Sequence, residues 1–474
     1  MNTPITRLYV VVLLLFGVLV VGTSWNTIFR AQELRDKPQN RRQLLEQQRI
    51  RRGVIRADDG TALARSVRQS DDSFTRVYPQ NGLFAQAIGY SFTRYGRAGL
   101  EQSRNDALSG TTTELGTLFD RISGTKPEGD DVQTTLDPKA QRAALQGLAG
   151  RKGAIVALDP QTGAIKVMAS VPGYDPNEIG RPGQFTRLNQ DQDAPLLNRN
   201  TQAGYTPGST FKVVTAIAAM DSGEFTPNSL VSGRNLKPIS GVPLRNFGGE
   251  DFGLITLTDA LTHSVNTAWA TVGEKLGKRT MGKYMNRLGF DEPVQVDLPA
   301  SERRASGEYA GGRLIRPTSP VVDVGRMAIG QDKLNVTPLQ MAMVASAVAN
   351  GGRLMKPHLT DRIVDRDGRT VDRIQPREMA QVMSGESAGE VADMMGKVVE
   401  EGTGTAAALE GISVGGKTGT AEVGHGCPNQ VWFIAFAPRH NPKVAIAVTV
   451  ECSSGTGGDV AAPIAKNVMQ ELLK

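Results

Sequence analysis

Tyr205-Thr206-Pro207-Gly208-Ser209-Thr210-Phe211-Lys212, running on into Val213-Val214-Thr215-Ala216-Ile217, is the stretch from which the rest of the chain is read. Pro-Gly directly before an apolar run marks a helix start. Ser209 and Lys212 then lie three apart on one helical face, close enough to interact. A serine hydroxyl is a poor nucleophile at neutral pH and needs an adjacent base. Lysine serves as that base only when burial or a second cation lowers its pKa. The amino end of the helix also offers free N–H groups and positive potential to an oxyanion. The pattern by itself is cheap. Ser123-Gly124-Thr125-Lys126 matches it too, although Gly124 and Pro127 argue against a helix there, and a lone match is most often an ordinary helix surface.

Two further signals follow in order. Ser264-Val265-Asn266 interrupts a helical region between Leu257–Thr262 and Thr267–Lys275, and a turn there can push two polar side chains into a cleft. Helix capping is the bland alternative, and Ser103-Arg104-Asn105 reads as an example of it. Lys417-Thr418-Gly419-Thr420 then lies in a strand-like, glycine-rich segment with Gly415 and Gly416. Glycine lets another backbone come close, and an edge strand can pair with an extended peptide. Lys417 and the threonine hydroxyls are candidates to hold a terminal carboxylate. Gly411 to Thr418 also fits the P-loop pattern, and Gly411 to Gly415 the Gly-x-Ser-x-Gly elbow. Both need a helix next, and Ala421 to Pro428 cannot form one.

Around these motifs the chain changes character near residue 150. Before it, segments are short and Gly-rich. Arg52-Gly53-Val54-Ile55 reads as a strand, and Asp137-Pro138 to Leu148 as a helix with an Asp cap. After it, Gly153–Asp159 and Gly163–Ser170 form strands joined by a hairpin at Pro160-Gln161-Thr162. A helical middle follows, and strand signals return at Ile412–Val423, Gln430–Ala437 and Lys443–Glu451. Val460, Ile464, Val468 and Leu472 then give an amphipathic terminal helix. Strands at both ends enclosing helices point to one α+β domain whose sheet joins early and late strands.

The 474 residues are 39% hydrophobic and 22% charged with a net charge of +6, an ordinary globular composition. Four histidines and two cysteines without ligand spacing disfavour zinc. Leu8 to Gly22 is apolar without interruption, and the stretch extends to Phe29 past Trp25. About 20 residues span a bilayer. An uncleaved anchor is favoured over a signal peptide, since no small-x-small site follows. Arg30, Arg35, Lys37, Arg41 and Arg42 after the span favour a cytoplasmic domain, but long domains translocate largely regardless of flanking charge.

The ordered set Ser-x-x-Lys, Ser-x-Asn, Lys-Thr-Gly is that of β-lactamases and penicillin-binding proteins. Arg52-Gly53-Val54-Ile55, Gly99-Leu100-Glu101, Tyr174-Asp175-Pro176-Asn177, Thr337-Pro338-Leu339-Gln340, Gly402-Thr403-Gly404-Thr405 and Trp432 to Pro438 extend the match. From residue 50 onward the chain resembles the class B penicillin-binding proteins, and its short pedestal is most similar to that of penicillin-binding protein A of actinobacteria. Arg56 to Gly60, and Asp332 after Gly330-Gln331, depart from common relatives.

The resemblance implies a five-stranded antiparallel sheet flanked by helices, a small N-terminal pedestal domain and a transmembrane helix. The expected division is a cytoplasmic tail at 1–7, an anchor at 8–29, a pedestal at 30–148 and a transpeptidase domain at 149–474. It implies Ser209, Lys212 and Ser264 as catalytic residues. Asn266, Lys417, Thr418, Gly419 and Thr420 would bind substrate, with no metal or cofactor. Peptidoglycan stem peptides and β-lactams would be ligands, the plasma membrane and divisome or elongation proteins the partners, and no nucleic acid. The catalytic domain would face outside the cell. That placement permits a Cys427–Cys452 disulfide, with two free thiols as the alternative. A β-lactamase reading lacks a Glu-x-x-Leu-Asn segment; a D,D-carboxypeptidase would differ only in its acceptor. A sensor would need a partner domain for which the tail leaves no room.

Overall fold

In the computed structural model the described residues are 3–28, 48–110, 128–424 and 426–474. The Ser123–Lys126 match and most of the expected stalk fall outside them. Five strands form the central sheet: β1 (Gly153–Leu158), β2 (Ile165–Val171), β3 (Gly415–Gly424), β4 (Cys427–Ala437) and β5 (Val444–Ser453). Their spatial order is β3-β4-β5-β1-β2, antiparallel throughout. The early hairpin thus joins the late strands as the sequence suggested. Cys427 on β4 and Cys452 on β5 are disulfide-bonded, with Cα atoms 4.6 Å apart.

Both faces of this sheet are covered, which is why its strands read as near-continuous apolar runs. Along β4, Trp432, Ile434 and Phe436 enter one core while Val431, Phe433 and Ala435 enter the other, the period-two alternation of a strand. Helix α1 (Pro138–Leu148), capped by the Asp137 carboxylate, buries Ala140, Ala144 and Leu148 in the second core. That core also holds Ile464 and Val468 of the terminal helix Ala462–Leu472. Helix α1, which the expected division leaves with the pedestal, thus packs on the large sheet.

The opposite face carries the helical layer: α2 (Lys212–Asp221), α3 (Leu257–Thr262), α4 (Asn266–Arg287), α5 (Pro338–Ala349) and α6 (Gly385–Glu400). All of α5 except its last residue is buried, accounting for its uninterrupted apolar sequence.

The N-terminal region builds a second, six-stranded sheet. Its first strand is Ile55–Arg56 and not 52–55. Arg52 is instead drawn to buried Glu101, with Nη2–Oε2 at 2.9 Å, and Glu101 also holds Arg76. The two outermost strands on one side, Thr360–Val364 and Thr370–Arg373, come from the far end of the chain. Such an insertion leaves no local trace in sequence. Helix Thr3–Ile28 is long and apolar enough to cross a membrane: Thr3–Val20 has mean hydropathy 2.1, and none of that window is buried against the protein.

Candidate active site

The Ser209 turn is tighter than an α-helix. Gly208–Phe211 is a 3₁₀ turn, and α2 begins only at Lys212. In 3₁₀ geometry residues three apart eclipse one another, so Ser209 and Lys212 point the same way. Lys212 Nζ lies 3.0 Å from Ser209 Oγ. Gly208 has φ +52°, and it faces Gly330 so closely that a Cβ on Gly330 would stand 1.9 Å from the Gly208 carbonyl oxygen.

Ser264 occupies the loop between α3 and α4 at φ +58°, a left-handed conformation that costs about 1–2 kcal/mol for a residue with a Cβ. Backbone bonds from Val265 N to Ala260 O and from Ser264 N to Leu261 O hold it there. The strain aims hydroxyl, carbonyl and the Asn266 amide at one point. Lys212 Nζ lies 2.6 Å from Ser264 O, 2.7 Å from Asn266 Oδ1 and 3.2 Å from Ser264 Oγ. Asn266 Nδ2 donates to Arg245 O at 3.0 Å, which fixes Oδ1 as the atom facing the lysine. By contrast, Ser103-Arg104-Asn105 makes no side-chain cap; Asn105 Oδ1 accepts from Arg52.

Lys417, fully buried on edge strand β3, reaches the same hydroxyl: its Nζ is 2.9 Å from Ser264 Oγ and 3.1 Å from Thr418 O. Burial pushes the Lys417 amine down to about 7. Burial first, and then the Lys417 charge, hold Lys212 well below the usual lysine range. A neutral amine has two N–H donors and one lone pair. The Ser264 carbonyl and Asn266 Oδ1 can only accept, so they take both hydrogens of neutral Lys212. Its lone pair is left for a hydroxyl.

Ser209, Ser264, Asn266, Thr418 and Thr420 line one cleft of about 140 Å³. Gly419 serves by its lack of a side chain: a Cβ there would meet Pro207 O at 2.8 Å, so only glycine lets β3 approach the serine turn. Sequence reasoning missed Thr403, whose Oγ1 is 2.7 Å from Thr418 Oγ1, and Thr456, Phe247, His263 and Gln331, which also line the cleft. In the sequence Thr403 stands out only as part of Gly402-Thr403-Gly404-Thr405. Its glycines are the signal: a Cβ on Gly402 would stand 2.4 Å from Thr262 O. The two patterns set aside fail as expected, since Gly411–Val414 leads into strand β3 and no helix follows.

Residues 153–470 match the family described as the penicillin binding protein transpeptidase domain. Residues 52–132 match the penicillin binding protein A dimerisation domain. The chain is 34% identical over 503 aligned residues to the peptidoglycan D,D-transpeptidase PbpA of Mycolicibacterium smegmatis, covering 100% of this chain and 99% of that one. Identity to PbpA of Mycobacterium tuberculosis is 33% with the same coverage. The solved ceftriaxone acyl-enzyme of penicillin-binding protein A from M. tuberculosis superposes with a TM-score of 0.82 at 32% identity, over 91% of this chain and 100% of that one.

Proposed function

The chain belongs to the penicillin-binding transpeptidase family and is a peptidoglycan D,D-transpeptidase, and from that premise we propose how its residues divide the reaction. The observation that carries the proposal is the buried lysine amine 3.0 Å from Ser209 Oγ, its other contacts being two obligate acceptors and the Ser264 hydroxyl.

A stem peptide ending in D-Ala-D-Ala pairs along edge strand β3, its carboxylate held by Lys417, Thr418 and Thr420. Neutral Lys212 takes the Ser209 proton as Oγ attacks the penultimate carbonyl. The N–H groups of Ser209 and Thr420 receive the developing oxyanion, and Asn266 orients the substrate amide. Ser264, within reach of both lysines, passes the proton to the departing D-alanine. An amine of a second stem peptide then resolves the acyl-enzyme, and a β-lactam acylates the same serine. The apolar helix Thr3–Ile28 anchors the chain, with the catalytic domain outside the cell where both peptides lie; elongation or division proteins would recruit it there.

Labelling of the purified protein with fluorescent penicillin, beside Ser209→Ala of confirmed fold, tests the assignment. Stable label on the parent alone is expected. Label on both proteins would remove Ser209 from its role, and label on neither would remove the acylation chemistry.

A further inference from the structure

A second cavity of about 290 Å³ opens beside the catalytic cleft and shares Phe247, His263, Ser264 and Thr403 with it. Ser264 is thus a common wall: one side meets the two lysines, the other meets this cavity. The charged lining is acidic, supplied by Glu250 and Glu401, and among the described residues no lysine or arginine lines it. Lys397 lies 3.5 Å from Glu401 on the solvent side, both side chains being about half exposed or more. Among the described residues Glu250 has no ion pair.

The walls are built to hold their shape. Buried Asn246 donates to Gly233 O and Glu250 O and accepts from the N–H and hydroxyl of Thr267. All four bonds pin the 246–250 loop, which presents the Phe247 ring at 71% exposure. His263 is stacked on Phe252 at 5.9 Å, and Thr403 N donates to Thr262 O at 3.3 Å. An exposed aromatic ring and two carboxylates in one cavity are complementary to an alkyl stem ending in an ammonium.

The reaction needs such a second substrate. With the donor along β3 and its carboxylate at Lys417, the acyl carbon on Ser209 must be reached from another side. We propose that the cavity behind Ser264 is the acceptor subsite, in which Glu250 and Glu401 draw in the ammonium of an amine-bearing peptide and Phe247 packs on its alkyl stem. This rests on the serine-acylation reading above. The ammonium gives one proton to solvent, and the free nitrogen bonds to the acyl carbon as the bond to Ser209 Oγ breaks. A second proton passes through Ser264 and Lys212 back to Ser209. The proton lost to solvent balances the one taken up by the D-alanine amine released in the first step. Glu250 and Glu401 are positioning residues: their field concentrates the cation near its target and takes no part in acylation.

The test uses the full-length chain in detergent, a donor peptide ending in D-Ala-D-Ala, and a synthetic peptide with one free alkylamine as acceptor. Amide and hydrolysis products are measured against acceptor concentration for the parent, Glu250→Gln/Glu401→Gln and Glu250→Asp/Glu401→Asp. The Gln pair should raise the half-saturating acceptor concentration about tenfold, as expected for two exposed ion pairs. Maximal transfer should change less than about twofold, the Asp pair should recover most of the loss, and added salt should weaken the parent toward the Gln pair. An unchanged half-saturating concentration in a Gln pair that labels normally with penicillin would overturn the proposal. If that pair fails to label, the single Glu→Gln variants, each expected to shift by about threefold, decide. A parent that takes no penicillin label, or hydrolyses without transfer, overturns the acylation or transfer reading and this one with it.

Discussion

Replacing Lys417 by methionine should flatten the dependence of stability on pH. The Lys417 amine is buried and, among the described residues, without a carboxylate in contact, and burial holds it at about 7 against 10.5 when exposed. Between those values the unfolded chain binds more protons than the folded one, so stability rises with pH across this window. The penalty is complete below about pH 7 and gone above about pH 10.5, amounting to about 5 kcal/mol at 1.4 kcal/mol per pH unit. From about pH 7.5 to about pH 9 the parent should therefore gain about 2 kcal/mol that Lys417→Met does not. Lys212 adds a contribution of the same sign, and losing its charged neighbour moves it back toward the ordinary lysine range. That change flattens the variant further. Methionine also forfeits the bonds to Ser264 Oγ and Thr418 O, a cost independent of pH, so the slope and not the level carries the test. Urea unfolding of residues 48–474 at several pH values measures it. Parallel curves for parent and variant would refute the reasoning, because they would mean Lys417 is charged throughout.

Ser264→Ala should slow penicillin acylation by about 10²–10⁴-fold, since Lys212 keeps three of its partners and only the shared hydroxyl is lost; stopped-flow rates within threefold of the parent would contradict this. Opening the Cys427–Cys452 bond by Cys→Ser at both positions should cost about 3 kcal/mol in urea unfolding, from the loop closed by a separation of 25 residues; a loss under about 1 kcal/mol would show that strand pairing alone holds β4 to β5 at this end. Glu101→Gln leaves Arg52 and Arg76 buried against a neutral amide and should destabilise the pedestal by about 3–5 kcal/mol, read by thermal unfolding, whereas an unchanged midpoint would mean both guanidiniums find other acceptors.

Local order made much of this legible. Pro207-Gly208 announced the turn, and a three-residue spacing put Ser209 and Lys212 on one side whether the turn is 3₁₀ or α. The helices around Ser264 and the strand at Lys417 were visible from periodicity, as were the early and late strands of the sheet. The first pedestal strand was misplaced because Arg52-Gly53-Val54 is drawn aside by side-chain and close backbone contacts. A Cβ on Gly53 would stand 1.8 Å from Asp130 O, and Val54 N donates to the Asp131 carboxylate. Nothing in residues 360–373 indicated that they would complete a sheet begun near residue 55. Helix α1 is legible as a helix, but its packing on the large sheet is not, since an amphipathic face does not name what covers it.

The sequence by itself determined which groups are present and how they are spaced over three or four residues, because backbone geometry fixes those distances wherever a turn or helix forms. Only the tertiary structure decided that Lys212 has the low proton affinity a base would need. Its low proton affinity comes from burial and from a second lysine 205 positions away on the edge strand. Neither dielectric nor field is a local property of the chain. The same holds for the cavity behind Ser264, whose acidic side chains, Glu250 before α3 and Glu401 at the end of α6, line one space only after the helical layer has packed.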